Sequence, residues 1–416
     1  MEQPLPRDRN WVTLGTLFLL GVASLTPWNF FTTANDYWMF KLRNTSVPFA
    51  PDQERNEAQL FFAAYLSITS NVVFVAFLGL NALISKRVSS HTRIVYPLSI
   101  TAALFVATTT LVEVNTDDWQ IPFLILTLAT VALLNVLVGF IMGASVGVCG
   151  YLPPRYMESC SLGQAVGGLV CCGIQIFCIL LNFGYQDAAF IYFAAATLML
   201  LLTVGAYFAM RRSDFFEHYR KLADNNDSFS FREQSVPFWD IFRRGWQFHT
   251  CSFTVFVVNI SVFPAITANA VSTRASSGGR LAVELFIPLA CFTVYNVADC
   301  IGRLLFNRFQ ISPSRKNLLL WLCALRFLLV PLLLFCNIAP KNRVLTPVLL
   351  GSDTAFIVLM SVLGASSGYL INAAFVFAPK TVDVELQEVS AGMVSWFSGA
   401  GSTVGSLLSY GLVRLL

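Results

Sequence analysis

The stretch YNVADCIGRLLF, residues 295–306, carries three polar side chains within an otherwise apolar run. Asn296, Asp299 and Arg303 are spaced three and four residues apart, so on a helix they lie on one face. A carboxylate can accept a hydrogen bond from a hydroxyl group while a guanidinium group donates to it. This face therefore predicts a polar site that could hold the vicinal hydroxyls of a sugar such as ribose.

Charged side chains at this depth are costly. Asp299, Arg303 and Arg326 are the charged residues in the cores of the predicted membrane spans, and each needs an ion-pair partner or water to be tolerated in hydrocarbon. One alternative is that Asp299 forms a neutralising pair with Arg303 or Arg326 that only fixes helix packing. We favour that packing role for Arg326. For Asn296, Asp299 and Arg303 we favour a solvated site, because one carboxylate that faces two guanidinium groups leaves donors free.

A second stretch, LTPWNFFTTANDYW, covers residues 25–38. Pro27 frees a backbone carbonyl group and kinks the helix. Trp28 offers a flat ring against which a planar ligand could stack. An aromatic anchor at the membrane interface explains Trp28 equally well, so both interpretations stay open. In the seventh predicted span, FPAITA with Pro264 adds a further break suited to a gate or hinge.

Composition identifies the elements that position these residues. The 416 residues are 56% hydrophobic and 12% charged, with a mean hydropathy of +0.65, which is typical of an all-α polytopic membrane protein. The first apolar run is long enough to be a membrane span, and we do not interpret it as a cleaved signal. Polar interruptions divide the chain into eleven predicted spans: 11–34, 58–84, 94–112, 121–148, 160–182, 188–210, 247–270, 285–307, 317–338, 354–378 and 389–413.

The spans group as six plus five around a polar linker. We predict an N-terminal six-helix bundle over 1–210, a cytoplasmic linker over 211–246 and a C-terminal five-helix bundle over 247–416. With the N-terminus in the cytoplasm, seventeen Lys and Arg residues fall inside and eight outside, as the positive-inside rule requires. An odd number of spans then places the C-terminus outside. The first outside loop, 35–57, carries the sequon Asn44-Thr45-Ser46, so we predict that Asn44 is glycosylated.

Several function classes are disfavoured by the same residues. A net charge of +4 from scattered basic residues gives no basic patch for nucleic acid. The three histidines, His91, His218 and His249, form no metal or catalytic pattern, so we expect no enzyme, no metal and no cofactor. No phosphate-binding loop or chain of buried acids suggests an energy source. Transport should follow the gradient, although proton coupling through Asp299 stays an alternative.

Five motifs, in order, resemble the equilibrative nucleoside transporter family. They are PWNFF in the first span, FPA in the seventh, NVADCIGR in the eighth, RFLLVPLLLFCN in the ninth, and GYL with PK around the tenth. The resemblance runs through nearly the whole chain. It implies a bundle similar to the major facilitator fold with one helix fewer, and facilitative transport of nucleosides, with nucleobases as a further class, by alternating access in the lipid bilayer.

The resemblance also implies roles for individual residues. Asp299 and Arg303 would contact the ribose, and Trp28 would stack near the base of nucleosides such as adenosine and uridine. The remaining implied roles are cavity lining by Phe74, Phe292 and Ser402, an outer gate of Thr32 and Pro264, and a cytoplasmic latch of Arg93 with Glu388. Met142 stands where some members carry a Gln that meets the base. Because a thioether is only a weak acceptor, we expect looser purine discrimination.

Substrate class and location keep one alternative each. Similar proteins include carriers of organic cations or monoamines, which should need more acidic residues around the site than one Asp beside an Arg. The stretch YWMFKLRNTS resembles the lysosomal branch of the family, but the short N-terminus shows no acidic dileucine signal. We therefore favour the plasma membrane, with the lysosomal membrane as the alternative.

Overall fold

Helices form nearly all the regular structure of the chain. The computed structural model describes residues 6–46, 56–84, 87–230, 238–275, 279–312, 315–338, 347–383 and 386–414. Its helices are α1 Val12–Thr33, α2 Asn35–Lys41, α3 Glu57–Ile84, α4 Ser90–Glu113, α5 Gln120–Gly150, α6 Pro154–Leu180, α7 Tyr185–Arg211, α8 Asp214–Ser230, α9 Phe238–Val262, α10 Arg280–Val283, α11 Val294–Arg308, α12 Lys316–Leu325, α13 Leu329–Leu334, α14 Asp353–Phe377 and α15 Gln387–Arg414. A π-helical segment, Ile287–Thr293, precedes α11, and a 3₁₀ turn, Arg326–Leu328, joins α12 to α13.

Nine helical segments among the described residues are long and apolar enough to cross a membrane. They coincide with nine of the eleven predicted spans. The other two predictions fall on α3, which contains the shorter apolar stretch Tyr65–Asn81, and on α15. The sequence of α15 is rich in Gly and Ser, which add little hydropathy although they pack well between helices. The chain is thus an integral membrane protein.

Glycine residues bring neighbouring helices into backbone contact. A Cβ atom at Gly163 of α6 would overlap the carbonyl oxygen of Phe18 in α1. Between α11 and α14, side chains at Gly302 and Gly368 would overlap backbone carbonyl groups of the opposite helix. Because no larger residue fits at these positions, the small-residue runs fix which faces of the helices meet.

The seventh and eighth predicted spans contain irregular backbone. The seventh was predicted to run to residue 270, but α9 ends at Val262 because Pro264 cannot donate the next helical hydrogen bond. The Phe263–Pro264 peptide bond is cis. The eighth predicted span begins with the π-helical segment, which carries Pro288 at its start. Irregular backbone at membrane depth is tolerated where protein buries it or where it lines a cavity.

The segment predicted as a linker, 211–246, is largely helical. It contains α8, and α9 already begins at Phe238. Phe242, in the first turns of α9, stacks on Phe397 of α15 with ring centroids 5.5 Å apart. This contact anchors the end of the segment to the bundle. Gly245 interrupts the helical dihedral angles of α9, with φ −117° and ψ 18°.

Candidate functional site

Asp299 and Arg303 form an ion pair on α11. Arg303 Nε donates to Asp299 Oδ2 at 2.9 Å, as their spacing of four residues allows. Both side chains are only 7% exposed, whereas the sequence favoured a solvated site. In this conformation the pair is buried, and the hydrogen bond between the two charges offsets part of the cost of desolvation.

Arg303 also bridges the two halves of the chain. Its Nη1 atom donates to the backbone oxygen of Ser161 at 2.7 Å and also contacts Ser161 Oγ. Ser161 lies on α6, so the polar face of α11 docks against the first half of the chain. Sequence reasoning missed Ser161. The run SCSLGQAVGG predicts a close helix contact there but does not reveal which hydroxyl group meets the guanidinium group.

Two adjacent thiols of α6 connect the polar face of α11 to α1. Asn296 Nδ2 lies 3.6 Å from Cys172 Sγ. Cys171 Sγ in turn donates to the backbone oxygen of Asn29 at 3.3 Å and to Thr33 Oγ1 at 3.1 Å. Adjacent residues of α6 therefore contact Asn29 and Asn296, so the two polar stretches of the sequence pack against the same helix.

The proline-containing part of α1 carries the next candidates. Trp28 and Thr32 are both half-buried, and Thr32 Oγ1 donates to the backbone oxygen of Trp28 at 2.7 Å. The Nδ2 atom of Asn29 is buried without a hydrogen-bond acceptor among the described residues. A buried donor without an acceptor is costly in a completed site. Asn29 is therefore a candidate hydrogen-bond donor to a ligand. The sequence analysis gave it no role.

An aromatic cluster joins the break after α9 to α11. Phe263 stacks on Tyr295 with ring centroids 4.2 Å apart and meets Phe292 edge-on at 5.5 Å. Pro264 follows Phe263 directly and is half-buried, as is Phe292. Tyr295 was missed, although its position one turn before Asp299 was a usable signal. The cluster brings one predicted cavity residue next to one predicted gate residue.

Phe74 and Ser402 lie on a second contact between the halves, formed by α3 and α15. The half-buried Phe74 ring is 3.2 Å from the position a Cβ atom of Gly399 would take. Ser402 Oγ is buried and donates to the backbone oxygen of Ser398, one turn back, at 3.0 Å. Farther along the helix pair, Asn71 Nδ2 donates to Ser406 Oγ at 2.8 Å.

Met142 is buried on α5. Its neighbour Gly143 packs closely against Asn81 of α3. Met142 itself belongs to the larger of the two clusters of buried hydrophobic residues in the described part of the chain.

Arg93 and Glu388 meet where α4 and α15 begin. Arg93 Nη2 is 3.6 Å from Glu388 Oε1, and the two side chains are 3% and 33% exposed. Arg93 also donates to Asn81 Oδ1 and to the backbone oxygen of Val88, both at 3.0 Å. Glu388 lies directly against Gly147 of α5. The geometry is that of an ion pair that ties the last helix to the first half of the chain.

Arg326 does not pair with Asp299; of the two partners considered for Asp299 from the sequence, the structure shows Arg303. Arg326 donates instead to the backbone oxygen of Leu363 at 3.1 Å and to the side chains of Ser366 and Asn259. Arg326 begins the 3₁₀ turn, and its side chain contacts α9 and α14. Asp299 accepts a hydrogen bond from Arg303, which lies on the same helix, α11. Arg326 thus serves packing, as predicted, but through neutral acceptors.

Asn44 lies just after α2, in the outside loop of the predicted topology. Its side chain is exposed, and Asn44 Oδ1 accepts a hydrogen bond from the Ser46 backbone N–H at 3.1 Å. The sequon is therefore accessible at the surface.

Comparisons with known proteins agree with this architecture. A family model described as "Nucleoside transporter" matches residues 128–235 and 221–414. Rat equilibrative nucleoside transporter 3 is 30% identical over 421 residues, which cover 96% of this chain and 88% of the relative. The chain belongs to the nucleoside transporter family. The match to human equilibrative nucleoside transporter 1, at 28% identity, covers 97% of each chain. The family is a transporter family and not an enzyme family.

Solved structures show the same fold at low sequence identity. The nucleoside transporter NupG superposes with a TM-score of 0.55 at 14% identity, covering 97% of this chain and 92% of that one. The human organic anion transporter MFSD10 gives a TM-score of 0.52 at 12% identity, covering 98% and 95%. The bundle of this transporter is therefore major-facilitator-like.

Proposed function

We propose that this chain carries nucleosides such as adenosine and uridine, with nucleobases as a further class, down their concentration gradient by alternating access. Its family membership supports the substrate class. The observation on which the mechanism rests is the contact from Asp299 through Arg303 to Ser161, since it joins the candidate binding face to the interface between the two halves.

Ribose binding would use the contacts that Ser161 makes now. Arg303 Nη1 donates to two oxygens of Ser161, a carbonyl oxygen and a hydroxyl oxygen. Two vicinal hydroxyls of a ribose present the same pair of acceptors, and one of them can also donate to the Asp299 carboxylate. The sugar would therefore replace Ser161 at the guanidinium group.

The base would lie towards α1 and the aromatic cluster. Trp28 offers a stacking face, Asn29 a buried donor and Phe292 an apolar wall. The roles of Phe74, Met142 and Ser402 as cavity residues rest on the family resemblance. Their packing between α3, α5 and α15 would have to loosen for them to meet substrate.

Alternating access would separate and rejoin the two halves. We propose eleven spans in a six-plus-five arrangement, 1–210 and 247–416, with the N-terminus cytoplasmic and the C-terminus outside. In that topology Arg93 and Glu388 lie at the cytoplasmic end, so their ion pair must break before the site opens inward. Thr32 and Pro264 would narrow the opposite, outer end of the passage.

The test is uptake of labelled uridine and adenosine into proteoliposomes. Loss of hydrogen bonds from a charged donor costs about 1.5–3 kcal/mol, so Arg303→Gln should lower kcat/KM roughly 10- to 100-fold. Arg308→Gln removes the same charge from the exposed end of α11 and should change little. Equal effects of the two variants would refute the site, and absent nucleoside uptake in wild type would refute the substrate class.

Proton coupling and location can be tested in parallel. Uptake without a gradient of protons should equal uptake with one, since we propose a facilitative mechanism; stimulation by an inward proton gradient would favour coupling through Asp299. We propose the plasma membrane as the location, with the lysosomal membrane as the alternative. Surface biotinylation compared with lysosomal co-localisation of the full chain distinguishes them.

A further inference from the structure

Arg326 is a buried cation whose hydrogen-bond partners are neutral. The residue is 3% exposed, and its partners are the Leu363 backbone oxygen, Ser366 and Asn259, all of them neutral. Among the described residues, Asp299 forms its ion pair with Arg303 and no carboxylate lies at ion-pair distance from Arg326. An arginine stays protonated in such surroundings, so the positive charge of Arg326 has no counter-charge at ion-pair distance in the part of the chain that the structure describes.

The surroundings of Arg326 connect it to the binding face. Asn259, which accepts from Arg326, donates through Nδ2 to Ser367 Oγ at 2.7 Å, and the next residue, Gly368, packs on the backbone of Asp299. Arg326 therefore lies behind the binding face, on the far side of α14.

Glycine contacts fix that arrangement. Side chains at Gly364 and Gly368 of α14 would overlap the backbone oxygens of Tyr295 and Asp299. No gap separates α14 from α11, so Arg326 lies roughly one helix diameter, ~10–12 Å, from the binding face. Asp299 balances the charge of Arg303, so the charge of Arg326 remains as an excess positive charge among these three residues.

We infer that Arg326 sets the charge selectivity of the carrier: it rejects cationic ligands and favours neutral or anionic ones without touching them. The inference rests on the proposed nucleoside site and adds to it a residue that acts through its electric field. Two unit charges ~12 Å apart at an effective dielectric constant of ~20 interact strongly enough to change affinity about tenfold. The expected discrimination is therefore about tenfold against a cation relative to a neutral ligand of the same shape.

The experiment compares three ligands of one shape but different charge. Adenosine, its 5′-amino-5′-deoxy analogue and its 5′-carboxylate analogue are used to inhibit labelled uridine uptake into proteoliposomes. In Arg326→Gln, inhibition by the amine should strengthen about tenfold relative to adenosine, and inhibition by the carboxylate should weaken by a similar factor. Arg326→Lys keeps the charge and should keep the wild-type ratios.

Asn259→Asp provides an independent variant, because it leaves Arg326 in place and puts a carboxylate next to it. Asn259→Asp should give the same inhibition by the amine and by the carboxylate, relative to adenosine, as Arg326→Gln. Arg308→Gln, which removes an exposed charge, should leave them at the wild-type value. If a substitution at Arg326 impairs folding or uptake, the purified Asn259→Asp and Arg326→Lys proteins are used. Ligand-induced shifts in their Tm then give the affinity of the amine and of the carboxylate relative to adenosine.

Two results would overturn the inference. Unchanged ratios in both neutralising variants would show that the field of Arg326 does not reach the ligand. An equal shift in Arg326→Lys would show that the shape of the guanidinium group matters and not its charge. Absence of uridine uptake by wild type would instead count against the proposed function, and the Tm ratios would still decide the role of Arg326.

Discussion

Replacing Glu388 with Gln should increase the time this transporter spends open to the cytoplasm. The substitution keeps the size of the side chain and removes its charge, while Arg93 stays buried with its contacts to Asn81 and Val88. The ion pair ties α15 to α4 across the two halves of the chain. Weakening it therefore favours the conformation in which they part at the cytoplasmic end.

The magnitude follows from the geometry. At the observed 3.6 Å separation, two unit charges attract by roughly 4–5 kcal/mol at an effective dielectric constant of ~20. Glu388 is 33% exposed, so solvent screening and the hydrogen bond that Gln retains reduce the net loss to about 1–2 kcal/mol. The equilibrium between closed and open states should shift about 5- to 30-fold.

An introduced cysteine can report this shift. Ala391 is fully buried one turn beyond Glu388, so in Ala391→Cys a membrane-impermeant maleimide should react from the cytoplasmic side only while the gate is open. Labelling should be about 5- to 30-fold faster with Glu388→Gln in the same background. The parent protein without the new cysteine corrects for its native thiols.

The control is the Arg244–Asp383 pair, at 3.1 Å but with side chains 53% and 74% exposed. It joins α9 to the segment that follows α14, and Asp383→Asn should leave the labelling rate within about twofold of the parent because exposed pairs contribute little. A rate that does not change in Glu388→Gln, or that changes equally in Asp383→Asn, would refute the latch.

Three further predictions concern packing, modification and pH. Gly368→Ala should lower Tm because its Cβ atom would overlap a carbonyl oxygen of α11, whereas Gly411→Ala, with no atom within 4 Å, should hold or raise it; a fall in both would contradict the packing argument. Asn44→Gln expressed in a glycosylating cell should migrate faster on a gel, and mobility unchanged from wild type would show that the sequon is unused. The hydrogen bond from Lys221 lowers the pKa of Glu217, so its contribution to α8 is present above the ordinary carboxyl pKa and lost as the pH falls through the lowered value. Circular dichroism of an α8 peptide should show helix lost in acid, and less so with Lys221→Gln.

The sequence predicted those features that depend on one helix at a time. Apolar runs of sufficient length located the membrane helices, and the spacing of Asp299 and Arg303 placed the two side chains within reach of each other. Helix ends were less predictable. The break at Pro264 was recognised, but α9 stops at Val262 and not at residue 270, since the span was bounded by hydropathy and the apolar composition continues past the proline.

The partners across helices were decided by the tertiary structure. Sequence alone could not identify Ser161 as the acceptor for Arg303. It also could not show that Arg326 pairs with neutral groups and not with Asp299. The periodicity of a helix fixes which face a side chain occupies, but not the rotation and depth of the helix packed against that face. Glycine contacts such as the one that seats Gly368 against the backbone of Asp299 set these, and they depend on the shapes of both surfaces at once.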